Sequence, residues 1–249
     1  LKLDCLVVLG GNGSLKSANM LAQEGLNVIG LPKTIDNDTW GTDYTFGFQS
    51  AVNVASQYLD EIQTTAKSHD RIFVVEIMGH RVGHICLASG LASGADVILL
   101  PEIPYDIKGI VKAIKERQKK GQNYAVIACA EGAISKEDSL LTKKKYKAKV
   151  ASRNGMSVAY EVAKELEGYF DNEIRVSLAG HVQRGGQPSS YDRLMATRFG
   201  IEGARLVLNQ DFGKLVVLDK TEVKAIPLAQ SAGKLKYVDP EGEVVTGAK

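Results

Sequence analysis

The sequence has no marked excess of either charge, no framework of paired cysteines and no uncharged apolar run long enough to cross a bilayer. Each absence removes a class of function. Lys and Arg number 31 against 29 Asp and Glu, a net charge of +2, so neither nucleic acid nor an anionic membrane is an expected partner. The cysteines, Cys5, Cys86 and Cys129, are odd in number and widely spaced, and two of them lie in apolar runs. They are expected as buried free thiols of a reducing compartment. No basic–apolar–small leader opens the chain, and with no membrane-length segment the expectation is a soluble, cytoplasmic protein without a membrane partner. Residue 1 is Leu and an apolar run follows almost at once, so the sequence reads as N-terminally truncated.

What is present is the material of a packed α/β protein. Hydrophobic residues make up 44% and charged residues 24% of the 249, enough for one large unit or two joined lobes. Near-continuous apolar runs at 3–9, 27–31, 71–78, 96–100, 124–129, 175–178 and 214–218 predict strands buried on both faces. Helical patterns at 15–23, 49–62, 107–119, 156–166 and 192–208 alternate with them, which predicts crossover units and a mostly parallel sheet. The stretch 135–155 carries Lys143, Lys144, Lys145, Lys147 and Lys149 with little apolar content. It is expected as a solvated insertion rather than a nucleic-acid arm.

Ligands of open α/β sheets gather at the carboxyl ends of strands, and two such ends stand out. After the first strand comes Gly10-Gly11-Asn12-Gly13-Ser14, then a helix expected to open near Leu15. Glycines admit a close phosphate, and a helix N-terminus offers unpaired N–H donors. Ser14 is expected to cap that helix or to donate to a phosphate oxygen. Spacing alone does not separate a phosphate loop from an ordinary tight turn. After the second strand comes Pro32-Lys33-Thr34-Ile35-Asp36-Asn37-Asp38. Two carboxylates two residues apart, beside Lys33 and Thr34, suit phosphoryl transfer. One takes the proton of an attacking hydroxyl, the other holds Mg²⁺, and Lys33 neutralises the transferring group. A turn rich in Asx side chains is the bland alternative.

These two segments, then Gly41-Thr42-Asp43-Tyr44-Thr45-Phe46-Gly47, Val74-Val75-Glu76-Ile77-Met78-Gly79, and Gly180-His181-Val182-Gln183-Arg184-Gly185-Gly186 followed by Pro188 and Tyr191-Asp192-Arg193, together resemble the phosphofructokinase family from Leu3 to about Leu208. The resemblance implies two Rossmann-like α/β lobes. Residues 1–47 with 183–232 would form the phosphoryl-donor lobe, 48–182 the sugar-phosphate lobe, and 233–249 a C-terminal segment. It implies Mg²⁺-dependent phosphoryl transfer from ATP to the 1-hydroxyl of fructose 6-phosphate. Asp36 would be the base and Asp38 would lie near the metal. Gly11, Asn12, Gly13, Ser14 and Lys33 would face the donor phosphates, with Asn12 also toward the metal. Thr34, Met78, Gly79, His80 and Glu131 would line the sugar, His181 would bind the 6-phosphate, and Arg184 the phosphates near the transfer. Arg71 and Arg175 would reach a neighbouring copy's sugar site, in a homo-oligomer, a tetramer or dimer, with shared active sites.

The sequence departs from the family pattern at several positions. Asn12 stands where the family usually has Asp, and His80 where many members have Arg. Gln63 occupies the place of an effector-binding arginine. Lys33 is typical of the pyrophosphate-dependent branch, whereas Gly13 is the ATP-type residue. ATP is therefore the donor expected, pyrophosphate the alternative, and a non-catalytic sugar-phosphate-binding subunit or fragment the second alternative.

Overall fold

The computed structural model describes residues 2–248. In chain order its elements are β1 (Leu6–Gly10), α1 (Asn12–Gln23), β2 (Val28–Thr34), β3 (Phe46–Gly47), α2 (Phe48–Ser68), β4 (Ile72–Ile77), α3 (His84–Ala92), β5 (Val97–Leu99), α4 (Ile107–Lys119), β6 (Ala125–Ala130), α5 (Lys136–Ser139), α6 (Lys143–Ser152), α7 (Val158–Leu166), β7 (Ile174–Leu178), a 3-10 helix (Gly180–Arg184), α8 (Ser190–Leu208), β8 (Lys214–Asp219), β9 (Glu222–Pro227), α9 (Leu228–Ser231) and α10 (Glu243–Gly247). They form two compact units, Leu1–Ala51 with Gln187–Tyr237 and Val52–Gly186 with Val238–Lys249. The sequence expectation divides the chain at 47/48, 182/183 and 232/233. The units divide instead at 51/52, within the first turn of α2, at 186/187, and at 237/238, after residues 234–236 that are hydrogen-bonded to the first unit's own loops.

The first unit is built on a sheet of order β1-β2-β8-β9, with β3 beside β2. All pairings are parallel except β8 with β9. Side chains alternate across a strand, and in β2 and β8 both faces are covered, whereas the edge strand β1, expected to be buried on both faces, exposes Leu6, Val7 and Leu9. Ile29, Leu31, Val216 and Leu218 pack with Phe46, Met195 and Phe199 on one face. Val28, Leu215 and Val217 pack with Leu15, Ala18 and Leu228 on the other. Double coverage is why these strands read as unbroken apolar runs. Each fully buried Leu or Val contributes about 1.5–3 kcal/mol. Gly30 is required in β2, because a Cβ there would lie 2.9 Å from Leu15 and 3.1 Å from Leu215. The antiparallel β9 escapes the sequence reading. It is half exposed and alternating, and it returns through a two-residue turn in which Lys220 adopts φ 57°.

The second unit carries the parallel order β5-β6-β4-β7. Ile72, Val74, Ile127 and Cys129 pack with Ile110, Ile114, Val162 and Leu166 of α4 and α7. Against β5 and β6 lies α3, at such close range that a Cβ on Gly90 would lie 2.9 Å from Ile98. The lysine-rich 135–155 is solvated, and no residue of α6 is buried, but it is not irregular. Ser135 and Thr142 cap α5 and α6 through their side-chain oxygens. Lys149 pairs with buried Asp138 at 2.6 Å, and Arg153 forks onto Glu161 with both bonds at 2.7 Å.

Cys86 and Cys129 are buried and Cys5 is half-buried, and none is paired. Burial pushes all three thiols above the usual range. In the native state a thiol-specific disulfide reagent is expected to modify only Cys5, and after unfolding in guanidinium all three. Rapid native-state modification of a second thiol would contradict the closed core around α3 and β6. Among the described residues no helix is long and apolar enough to cross a membrane.

Candidate active site

In the first unit β1 and β2 run parallel with Gly10 opposite Pro32. The glycine turn and the acidic loop therefore leave the sheet side by side. A Cβ on Gly11 would lie 3.1 Å from Thr34 Cβ, so the absence of a side chain at 11 lets the two loops touch. Helix α1 opens earlier than expected, at Asn12, with Gly11 in the capping position and no side-chain cap. Ser14 is thus inside the first turn and is not the cap. A Cβ on Gly10 would lie 2.3 Å from Ser14 Cβ, which fixes the glycine there. The N-terminus of α1 carries no acidic residue in its first turn, which leaves its dipole unopposed toward an anion. Around Gly13 a Cβ would meet nothing within 4 Å.

The acidic loop is held by its own polar atoms. Asp36 N–H donates to Thr34 Oγ1 at 3.2 Å. Asn37, at φ 52°, accepts from Thr45 N–H through Oδ1 at 3.0 Å and donates from Nδ2 to the Asp43 carbonyl at 3.4 Å. Thr45 Oγ1 returns to the Thr34 carbonyl at 2.8 Å. Asp36 is half-buried, Asp38 and Asn37 are buried, and Lys33 is exposed. Asn12 Nδ2 donates to the Lys234 carbonyl at 2.8 Å, which assigns Oδ1 to the other arm of the amide. Lys236 N–H donates to the Asp38 carbonyl at 2.8 Å.

Behind this loop lies a buried hub that the sequence reading did not single out. The Asp192 carboxylate accepts from Tyr44 Oη at 2.6 Å, from the N–H groups of Gly47 and Ser50 at 2.7 Å each, and from the Ser50 and Ser189 hydroxyls. Burial alone would raise its pKa, but these donors outweigh burial and hold the carboxyl below its usual range. Burial, then the Asp192 charge, push the Tyr44 phenol up, so it stays a donor.

In the second unit the expected residues separate into two groups. At the carboxyl ends of β4 and β6, Glu131 Oε1 accepts from Gly79 N–H at 3.1 Å and also from His80 N–H. This braces a turn in which Gly79 has φ 153° and His80 φ 56°. Met78 N–H donates to Gln183 Oε1 at 3.2 Å, and Gln183 Nε2 donates to the Gly180 carbonyl at 3.1 Å. The buried Gln183 thereby ties this turn to the 3-10 helix, on which His181 and Arg184 are exposed. Gln183 lies inside the Gly180–Gly186 motif, in which only its neighbours His181 and Arg184 are expected at the site. At the opposite, amino ends of β4 and β7, Glu173 engages Arg71 at 2.5 Å and also Arg175. Against slight desolvation, the Arg175 and Arg71 guanidiniums lower its pKa. Within this unit Arg71 and Arg175 therefore do not join Met78, Gly79, His80, Glu131, His181 and Arg184.

Comparison with known proteins adds an independent line. The family model described as Phosphofructokinase matches residues 1–207. The "ATP-dependent 6-phosphofructokinase" of Spirochaeta thermophila is 50% identical over 249 residues, which is 100% of this chain and 68% of that protein. The "ATP-dependent 6-phosphofructokinase 2" of Clostridium perfringens is 46% identical over 99% of this chain and 68% of its own length. Among solved structures, phosphofructokinase from Saccharomyces cerevisiae superimposes with a TM-score of 0.79 at 31% identity, covering 92% of this chain and 32% of that one. A pyrophosphate-dependent phosphofructokinase from Nitrosospira multiformis gives 0.83 at 22% identity, covering 97% and 64%, and shares the fold.

Proposed function

We propose, from the premise that the chain belongs to the phosphofructokinase family, that it transfers the terminal phosphoryl group of ATP to the 1-hydroxyl of fructose 6-phosphate. The observation that carries the reading is the close approach of Gly11 to Thr34. It sets the carboxylates of the acidic loop beside a helix N-terminus suited to phosphate.

Asp36, presented by the Thr34 turn, takes the proton of the attacking hydroxyl. Backbone N–H groups of the Gly11–Ser14 turn and the start of α1 receive donor phosphate oxygens, with Ser14 and Lys33 beside them. Open space at Gly13 leaves room for the α-phosphate of a nucleotide. The donor set fits Mg²⁺. Asn12 Oδ1 and the Asp38 carboxylate supply one neutral and one anionic oxygen, and substrate phosphates and water complete such a shell. When bound, Mg²⁺ neutralises charge on the transferring group. Thr34, Met78, Gly79, His80 and Glu131 orient the sugar. Glu131 Oε1 is committed to the turn, so Oε2 is its arm for a hydroxyl. His181 and Arg184 bind phosphate oxygens. Arg71 and Arg175, held together by Glu173, serve the sugar phosphate of a second copy.

The test is turnover of the full-length protein with ATP and with pyrophosphate, side by side. Fructose 1,6-bisphosphate is expected from ATP. Formation from pyrophosphate alone would make Lys33, not Gly13, the residue that sets the donor. Binding of fructose 6-phosphate by calorimetry with no turnover on either donor would identify a non-catalytic subunit.

A further inference from the structure

The segment after α9 lies beyond the residues matched by the family model, yet it is bonded to both loops of the donor half. Ser231 Oγ donates to the Trp40 carbonyl at 2.6 Å. The Lys234 carbonyl accepts from Asn12 Nδ2 at 2.8 Å. Leu235 forms an antiparallel bridge with Thr39. Lys236 N–H donates to the Asp38 carbonyl at 2.8 Å. Lys236 Nζ then donates to the carbonyls of Thr42 and Asp43, both at 2.9 Å. The side-chain bonds from Ser231 and Lys236 to Trp40, Thr42 and Asp43 all end on backbone carbonyls, so the segment grips the path of the loop rather than its side chains. On its other side the loop is bonded to β8, through Asp43 N–H to the Leu218 carbonyl at 2.8 Å and Leu218 N–H to Thr42 Oγ1 at 2.9 Å, and it borders a cavity of about 430 Å³ lined by Trp40, Thr42, Asp43, Ile226 and Lys236.

We propose that 231–236 is a strap with Lys236 as its anchor, a positioning residue that fixes the loop carrying Asp36 and Asp38 relative to Asn12. A lysine suits the task because an ammonium offers three donors to carbonyl oxygens and accepts none. The strap deepens the phosphoryl-transfer reading and rests on it for its kinetic consequence. Displacement of a general base by a fraction of an ångström lowers the chemical step more than ground-state binding.

Trp40 is the single tryptophan of these 249 residues and sits in the strapped loop about half exposed, so with any tryptophan outside them replaced by Phe its fluorescence reports the loop without any turnover. In the full-length protein, Lys236→Met is expected to shift Trp40 emission and raise its quenching by iodide. It should lower kcat by about tenfold or more with KM for fructose 6-phosphate within about threefold. Lys236→Arg should recover part of both. Ser231→Ala, which removes only the bond to the Trp40 carbonyl, should move emission the same way by less, and it decides the matter if Lys236→Met fails to fold. Wild-type emission and quenching in Lys236→Met, or in Ser231→Ala should that be the variant that folds, would overturn the strap. A raised KM at unchanged kcat would overturn the positioning role. If the wild-type protein transfers no phosphoryl group, the functional reading fails, and Trp40 quenching still decides whether the strap holds the loop.

Discussion

Asp36→Asn is expected to lower kcat by about 10²–10⁴-fold while fructose 6-phosphate affinity stays within about threefold. The amide has the shape of the carboxylate and lacks only its basicity. The change leaves several bonds that hold the loop in place. The Asp36 N–H to Thr34 Oγ1 bond is a backbone bond. Asn37 and Thr45 close the turn from either side, and the Asp38 carbonyl is held by Lys236. Steady-state rates on the full-length protein, with calorimetry for the sugar phosphate, separate the two quantities. Asp38→Asn provides the contrast. Its main effect should be a rise in the Mg²⁺ concentration needed for half-maximal rate, because it would remove the one charged ligand of the proposed metal site, whose other proposed protein ligand, Asn12, is neutral. An Asp36→Asn enzyme with near-normal kcat would show that the proton leaves by another route, and the role assigned to this loop would go with it.

Much of this site could be read before any coordinates, for a physical reason. Glycines at 10, 11 and 13 before a helix, and Thr34 with carboxylates at 36 and 38 after the neighbouring strand, are the chemical types that the proposed phosphoryl transfer would call for. The parallel strands were legible because burial on both faces erases alternation, as at Val28–Leu31 and Leu215–Leu218. Helix α4 was legible because Ile107, Ile110, Val111 and Ile114 recur at helical spacing. Other parts left a weaker trace. Helix α3 is apolar almost all round, so it has no polar face to give a period. Strand β9 is a half-exposed edge. Asn37, Gln183 and Lys236 act through hydrogen bonds to backbone atoms, and three of those partners lie far along the chain: Met78 for Gln183, and Thr42 and Asp43 for Lys236. A bond of that kind imposes no local pattern on the sequence. Glu131 was expected from the family resemblance, but that its Oε1 braces the Gly79–His80 turn follows only from the parallel register of β4 and β6.

Asp192 carries the second large expected effect, on stability rather than on rate. Asp192→Ala leaves the Tyr44 hydroxyl, two N–H groups and the hydroxyls of Ser50 and Ser189 without their common acceptor, in a place where the carboxylate is only 4% exposed. Buried donors deprived of a charged acceptor cost about 3–5 kcal/mol together, since the losses are shared and do not add in full. The folded-state pKa of Asp192 lies below its ordinary value, and an unfolded Asp titrates near about 3.9. Its stabilisation is therefore fully present above that pH and is lost as pH falls through the lower folded value. Denaturant midpoints of wild type and Asp192→Ala should differ most at neutral pH and converge in acid below about pH 4. Tyr44→Phe should remove one donor of the hub at about 1–2 kcal/mol and keep the edge-on ring contact with Tyr191 at 4.9 Å. A wild-type to Asp192→Ala gap that stays constant from neutral pH into acid would mean that the lost stability comes from packing around α8 rather than from the ionised carboxylate. The hub's hold on Gly47 and Ser50 could not then be what steadies the chain after the acidic loop.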